Sequence, residues 1–270
     1  MATKYAYRGF MLDTSRKFFP IESIKQILNY MHEANLNIFH WLLSNNESFR
    51  LKTKFDLGLL SMKSEFYTIQ NVYTIIAYAK SLNIEVIPEF DFPGHVKSWS
   101  NVYSNLMLDW TDDEFDLSNP AVFILLNALF KEIIPIFNTS KYIHMGHDEL
   151  SNTNIEIIKS LTFAKNISTT FNKTPIIWND PITSKNIKLT NFVIQAWNNL
   201  NIVLSQNYKT IISVSDYWYV GSKYRPSQFI FPNNSNIIGA ELCWFTSSSD
   251  DPYDLDWIKI YILEAGQALK

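Results

Sequence analysis

Eight short runs of β-branched and aromatic residues, spaced along the whole chain, constrain its fold more than any other feature. They are Gly9–Asp13, Asn37–Leu43, Glu85–Phe90, Tyr142–Gly146, Pro175–Asn179, Phe192–Trp197, Thr210–Ser215 and Ile237–Trp244. Helical patterns fill most of the intervals: Ile21–Ala34, Gln70–Leu82, Pro120–Phe137, Asn154–Phe171, a short one near Leu200–Tyr208, and Asp254–Leu269. In the first, Ile21, Ile24, Ile27, Leu28 and Met31 recur at helical spacing and share one face. Two connections, Glu47–Tyr67 and Ser222–Asn236, are irregular, the second being rich in Pro, Asn and Ser. Eight β–α steps of this size predict an α/β fold, a single (β/α)8 TIM barrel over residues 1–270, working at the carboxyl ends of its strands. A doubly wound open sheet is the rival, but no Gly-rich phosphate loop follows any of the runs.

With 270 residues, 47% of them hydrophobic, the chain can bury a large core, as one barrel or as two smaller domains. A net charge of −3 provides no basic footprint, which argues against nucleic acid as a partner. Cys243 is the only cysteine, so an intramolecular disulfide and a thiolate metal cluster are excluded. No stretch reads as long and apolar enough to span a bilayer. The amino-terminal Met1-Ala2-Thr3-Lys4-Tyr5-Ala6-Tyr7-Arg8 lacks the apolar run of a signal peptide. That leaves a cytoplasmic protein, or a secreted one whose leader is absent. Aromatic residues make up 15% of the chain and include eight Trp, which serve either as stacking surfaces for sugars or as core.

The strand ends carry a restricted set of side chains. Asp13 and Arg16 follow the first, His40-Trp41 and Ser44-Asn45-Asn46-Glu47 the second, and Glu89 to His95 the third. The fourth, Tyr142-Ile143-His144-Met145-Gly146, runs through His147 into Asp148-Glu149. The remaining ends supply Trp178-Asn179-Asp180, Gln195-Ala196-Trp197, Asp216-Tyr217-Trp218-Tyr219, and finally Glu241 and Trp244. Each has a plain structural role open to it: Asp148 as a helix cap near Ser151, Asp13 as a partner of Arg16, a lone Trp as core. Together, two adjacent acids, one Arg and several Trp on one face describe a carbohydrate site.

Three stretches in this order resemble glycoside hydrolase family 20, the β-N-acetylhexosaminidases. They are Arg8-Gly9-Phe10-Met11-Leu12-Asp13-Thr14-Ser15-Arg16, Ile87-Pro88-Glu89-Phe90-Asp91-Phe92-Pro93-Gly94-His95, and His144-Met145-Gly146-His147-Asp148-Glu149. The similarity runs from about Arg8 to Trp244. Trp178-Asn179-Asp180, with no extra amino-terminal domain, is similar to the single-domain dispersin type, which cleaves poly-β-1,6-N-acetylglucosamine. The resemblance implies a TIM barrel and substrate-assisted retaining hydrolysis of a 2-acetamido-sugar glycan, without metal or cofactor. It further implies that Asp148 orients the acetamido nitrogen, Glu149 acts as general acid and then base, and Tyr217 binds the acetamido oxygen. Arg16 would grip the sugar hydroxyls, Trp178, Trp197 and Trp244 would wall the sugar, and His95 would sit in the network behind Glu149.

Three positions depart from the family pattern. Asn45 stands where an Asp usually touches the sugar and joins the His95 network, and the change removes a negative charge beside the acid. His147 replaces a Gly and adds a titratable ring next to the acidic pair. Thr246 occupies the place of a Glu that usually follows the last Trp by two residues and holds the 4- and 6-hydroxyls, and Glu241 is a poor substitute. The sequence therefore supports an exo-acting β-N-acetylhexosaminidase of reduced activity. The alternative is a catalytically weakened or inactive sugar-binding barrel of the same family.

Overall fold

A computed structural model of the chain describes residues 4–54 and 65–270. Its strands are β1 (Tyr7–Asp13), β2 (Ile38–Ser44), β3 (Glu85–Phe92), β4 (Tyr142–Gly146), β5 (Thr174–Trp178), β6 (Val193–Ala196), β7 (Lys209–Ile212) and β8 (Ile237–Trp244). Each lies parallel to its neighbour in chain order, and β1 pairs with β8 to close the barrel. The expected runs and the observed strands correspond one to one, with ends shifted by a few residues. Part of the irregular Glu47–Tyr67 connection, residues 55–64, lies outside the described residues.

The helices are α1 (Ile21–Glu33), α2 (Ile69–Ser81), α3 (Lys97–Tyr103), α4 (Pro120–Ile133), α5 (Asn154–Thr170), α6 (Asp180–Thr183), α7 (Leu200–Ser205), α8 (Ser215–Trp218) and α9 (Asp256–Ala268). Of the five longer ones, α2, α4 and α5 start where side chains satisfy free backbone N–H groups, whereas α1 and α9 have no side-chain cap. Thr153 and Glu156 form a capping box on α5, Thr68 and Asn71 do the same on α2, and Asn119 accepts from Ala121 N ahead of Pro120. The short α3, α6 and α8 lie within connections and carry no helical stripe long enough to show in sequence.

One expectation fails in this layer. Pro120–Phe137 is long and apolar enough, by length and composition, to cross a membrane. In the barrel, 44% of that stretch is buried, and Phe130 packs against Phe90 and Phe92 with ring centroids 6.3 and 5.2 Å apart. Its apolar composition is thus used in covering β3.

Strand alternation divides the core in two. Phe10, Leu12, Phe39, Trp41, Ile143, Ala240, Leu242 and Trp244 point outward to the helices, in one continuous apolar cluster. Inside, Tyr7, Ile38, Ile87, Ile176, Val193 and Ile211 form an apolar floor, while Met11, Leu42, Trp178 and Cys243 form a second layer nearer the carboxyl ends. Between these layers lie buried His40, Glu89, His144, Gln195 and Glu241. Gly9 makes room for the last of these, since a Cβ there would sit 2.4 Å from Glu241 Oε2.

Candidate active site

The polar layer is a charge network. His40 bridges two carboxylates, with Nδ1 at 2.8 Å from Glu241 Oε1 and Nε2 at 2.9 Å from Glu89 Oε2. Burial pulls the imidazole down, but Glu241 and Glu89 outweigh it and raise His40 to about 10. Tyr7 Oη donates to Glu241 Oε2 at 2.6 Å and Gln195 Nε2 to Glu241 Oε1 at 2.7 Å. Burial opposes the charge on Glu89 too, yet His144 and His40 hold it well below the usual carboxylate range. Burial and Glu241 push the Cys243 thiol up, which leaves it protonated and unsuited to act as a nucleophile. Trp178 Nε1 donates to Glu89 Oε1 at 3.1 Å, so this network fixes the tilt of the indole above it.

Directly above opens a cavity of about 210 Å³ whose lining includes Arg16, Asn45, His95, Asp148, Glu149, Trp178 and Trp197. β4 delivers the acidic pair through an unusual turn. Gly146, His147 and Glu149 have φ of 60°, 72° and 53°, all left-handed. Gly146 is required there, because a Cβ would fall 1.7 Å from Asp91 Oδ1. His95, three residues beyond the end of β3, ties the carboxylates together. Its Nδ1 lies 2.9 Å from Asp91 Oδ2 and 3.5 Å from Asp148 Oδ1, and its Nε2 lies 3.4 Å from Glu149 Oε2. Burial disfavours the imidazolium, but Asp91 and Asp148 raise it to about 12. Burial and the Asp148 charge push Asp91 up in turn. Asn45 Nδ2 donates to Asp91 Oδ2 at 3.1 Å, which places it in the same network.

Arg16 is held from β1. Asp13 Oδ1 accepts from Ser15 N and Arg16 N at 2.9 and 3.0 Å, and its Oδ2 pairs with Arg16 Nη1 at 2.5 Å. Burial raises Asp13 to about 6 despite that pairing. Glu47 Oε1 lies 3.4 Å from Arg16 Nε, and the guanidinium sits over Phe245 at 5.4 Å. Trp197 is locked by its Nε1 bond to Asp180 Oδ2 at 2.7 Å.

Tyr217 and Trp244 do not reach this cavity. Tyr217 belongs to α8, which turns it outward to stack on Tyr224 at 4.9 Å and meet Phe229 edge-on at 5.3 Å. Tyr219, just beyond α8, pairs with Cys243 of β8 and lines the cavity. Burial, and next the Cys243 thiol, push its hydroxyl well up, so it stays a donor. Trp244 falls on the outward parity of β8, where it packs edge-on against Phe19 and Trp257, both at 5.2 Å. Phe245 has the inward parity and lines the cavity instead. Tyr219 stands among the strand-end residues read from the sequence but without a role, and Phe245 is absent from them; the inward series Glu241, Cys243, Phe245 was the available signal for the second.

The departures are also located. Thr246 is buried and donates to Asp13 O at 2.7 Å, away from the cavity. The residue two beyond Phe245 is Ser247, whose N–H goes to Asp250 Oδ2 at 2.7 Å. Glu241 is committed to the polar layer below. His147 turns away from the acids: Nδ1 donates to Met145 O at 2.7 Å and Nε2 accepts from Ser160 Oγ at 2.9 Å. Burial lowers it to about 4. A depressed imidazole is neutral in the folded chain and takes a proton on unfolding. Its contribution to stability is therefore present above the unfolded value near 6.5 and declines as pH falls towards 4. Replacing His147 by Gln should flatten the fall in urea-unfolding free energy between these pH values, relative to the parent. Equal slopes would contradict a buried neutral imidazole.

Among the described residues, two groups have donor atoms close enough together to hold a metal ion: His40, Glu89 and His144, and Asp91, His95 and Asp148. In the first, His40 Nε2 and His144 Nδ1 lie 2.9 and 2.8 Å from the Glu89 oxygens; in the second, His95 Nδ1 lies 2.9 Å from Asp91 Oδ2 and 3.5 Å from Asp148 Oδ1, so the close contacts have hydrogen-bond geometry. Ligands held about 2.0–2.2 Å from a shared tetrahedral zinc stand farther apart than those contacts, about 3.3–3.6 Å from one another.

Residues 5–166 match the model of the glycosyl hydrolase family 20 catalytic domain. The chain is 30% identical to Dictyostelium discoideum beta-hexosaminidase subunit A1, over 88% of its own length and 54% of that protein. It is 27% identical to Arabidopsis thaliana beta-hexosaminidase 1, over 92% of its length and 52% of that protein. The chain thus spans about half the length of the curated relatives it matches. A mutant Streptomyces plicatus beta-hexosaminidase in complex with the product GlcNAc superposes with a TM-score of 0.86 at 18% identity, covering 99% of this chain and 64% of that one. Flavobacterium johnsoniae chitobiase gives 0.83 at 23% identity, covering 98% and 48%. These structures share the barrel.

Proposed function

This chain belongs to glycosyl hydrolase family 20, and we propose that it is a β-N-acetylhexosaminidase using its substrate's own acetamide as nucleophile. The observation that carries the reading is the His95 bridge. One imidazole lies within 3.5 Å of both Asp148 and Glu149, in a cavity walled by Trp178 and Trp197 and reached by Arg16.

In the first step the acetamido oxygen attacks the anomeric carbon as the bond to the aglycone breaks. The Glu149 carboxyl gives its proton to the departing oxygen. The Asp148 carboxylate accepts a hydrogen bond from the acetamido N–H, which gains positive charge as the oxazolinium ring closes. The Tyr219 hydroxyl, in the role the family resemblance implied for Tyr217, donates to the acetamido oxygen and aligns it. Arg16 binds hydroxyls at the non-reducing end, and the indoles of Trp178 and Trp197 cover the apolar sugar faces. In the second step water attacks the anomeric carbon, Glu149 takes its proton, and the ring opens with retained configuration.

The test is turnover of an aryl N-acetyl-β-glucosaminide beside a binding titration with N-acetylglucosamine. Release of the aryl alcohol is expected; binding without turnover, even at acidic pH, would identify a sugar-binding barrel instead. The electrostatic part of the reading gives a second expectation. Asn45 touches Asp91, two contacts from Glu149. Asn45→Asp adds a negative charge that favours the protonated acid, so the basic limb of the pH–rate profile should move upward. An unchanged profile would show that Asn45 has no electrostatic link to Glu149.

A further inference from the structure

The general acid sits on a strained and exposed turn, and something other than its own strand must hold it. The Glu149 side chain is 61% exposed, and its backbone, like that of His147, is left-handed without being glycine. Such conformations persist where the surroundings over-determine them. Here the surroundings include one carboxylate from another connection. Glu114, 6% exposed, lies between β3 and α4. Its Oε1 and Oε2 accept from Ser151 N at 2.8 and 3.0 Å. Oε2 also accepts from Asn152 N at 3.3 Å and Asn152 Nδ2 at 2.7 Å.

The segment carrying Glu114 is itself pinned to the loop of His95. Val96 N donates to Asp113 O and Phe115 N to Pro93 O, both at 2.9 Å. Gly94 lies beneath the turn, where an added Cβ would come within 3.3 Å of Asp148 O. Glu114 therefore joins the backbone that follows Asp148-Glu149 to the segment that carries the imidazole facing both acids.

We propose that Glu114 is a positioning residue for proton donation: its carboxylate fixes the turn that sets the Glu149 carboxyl against the leaving oxygen. This rests on the proposed hydrolytic function. The role belongs to orientation of the acid, so its loss depends on how much protonation the leaving group needs. An amide at position 114 keeps the shape but turns an N–H₂ towards donors and loosens the turn.

The experiment compares the parent with Glu114→Gln and Asn152→Ala on phenyl and 2,4-dinitrophenyl N-acetyl-β-glucosaminide, with thermal unfolding recorded for each. On the phenyl substrate, Glu114→Gln should lower kcat about 30-fold with KM within about 3-fold, since misplaced groups cost up to about 10²-fold. On the dinitrophenyl substrate, whose leaving group departs unprotonated, the loss should stay within about 3-fold. Asn152→Ala removes only the side-chain donor and should give a smaller loss with the same leaving-group dependence, which keeps the test open if Glu114→Gln unfolds. Equal losses on both substrates, or no loss, would overturn the positioning role and leave Glu114 a structural clamp. A folded parent without turnover on either substrate would sink the hydrolytic function, and this inference with it.

Discussion

Asp148→Asn and Glu149→Gln should each lower kcat on an aryl N-acetyl-β-glucosaminide by about 10²–10⁴-fold, the range for removing a general acid or an aligned electrostatic partner. The two losses should differ in kind. Glu149→Gln removes the proton for the departing oxygen, so the loss should shrink as the leaving group becomes more acidic. Asp148→Asn removes the acceptor for the acetamido N–H, so the loss should persist with every leaving group. His95 reaches both carboxylates, within 3.5 Å of Asp148 and 3.4 Å of Glu149, so the two variants also disturb one network. The effects should combine less than additively in the double variant. Steady-state kinetics on phenyl and dinitrophenyl substrates checks all three statements. Either single variant matching the parent would rule out the mechanism.

The second large effect separates two tyrosines two residues apart. Tyr219→Phe should lower kcat by about 10²–10³-fold, as loss of one aligned donor does in other sites that stabilise developing charge. Tyr217→Phe should leave kcat within about 2-fold, because its ring is stacked on Tyr224 outside the cavity. Steady-state rates with both variants suffice. A large loss at Tyr217 with none at Tyr219 would restore the assignment drawn from sequence and place the acetamide elsewhere.

The contrast between these tyrosines also shows which links from sequence to site are legible. The barrel was, because each strand is a short run of β-branched, aromatic or other apolar residues largely buried on both faces, and eight such runs in a chain of 270 residues leave few architectures. Arg16, Asn45, His95, Asp148, Glu149, Trp178 and Trp197 line one cavity because all lie at or just beyond the carboxyl ends of their strands. What failed was facing. Trp244 and Phe245 are adjacent aromatics at the end of β8, and residue chemistry favoured the indole as a sugar wall. Parity decides otherwise: Glu241 points inward, so Phe245 does too and Trp244 packs on Phe19. Tyr217 and Tyr219 would share a face in a strand, but Tyr217 lies within α8 and only Tyr219, just past its end, pairs with β8. His147 illustrates a third gap. A titratable ring next to two acids reads as an electrostatic neighbour, yet the left-handed backbone at that position swings it into the packing against Phe92 and Ser160.

The affinity of an N-acetylglucosamine-derived thiazoline, a stable mimic of the oxazolinium ring, tests most directly whether the substrate's amide performs the attack. The parent should bind it at least about 100-fold more tightly than N-acetylglucosamine itself, as transition-state-like ligands exceed ground-state ones. Binding no tighter than the free sugar would contradict nucleophilic participation by the acetamide in this cavity.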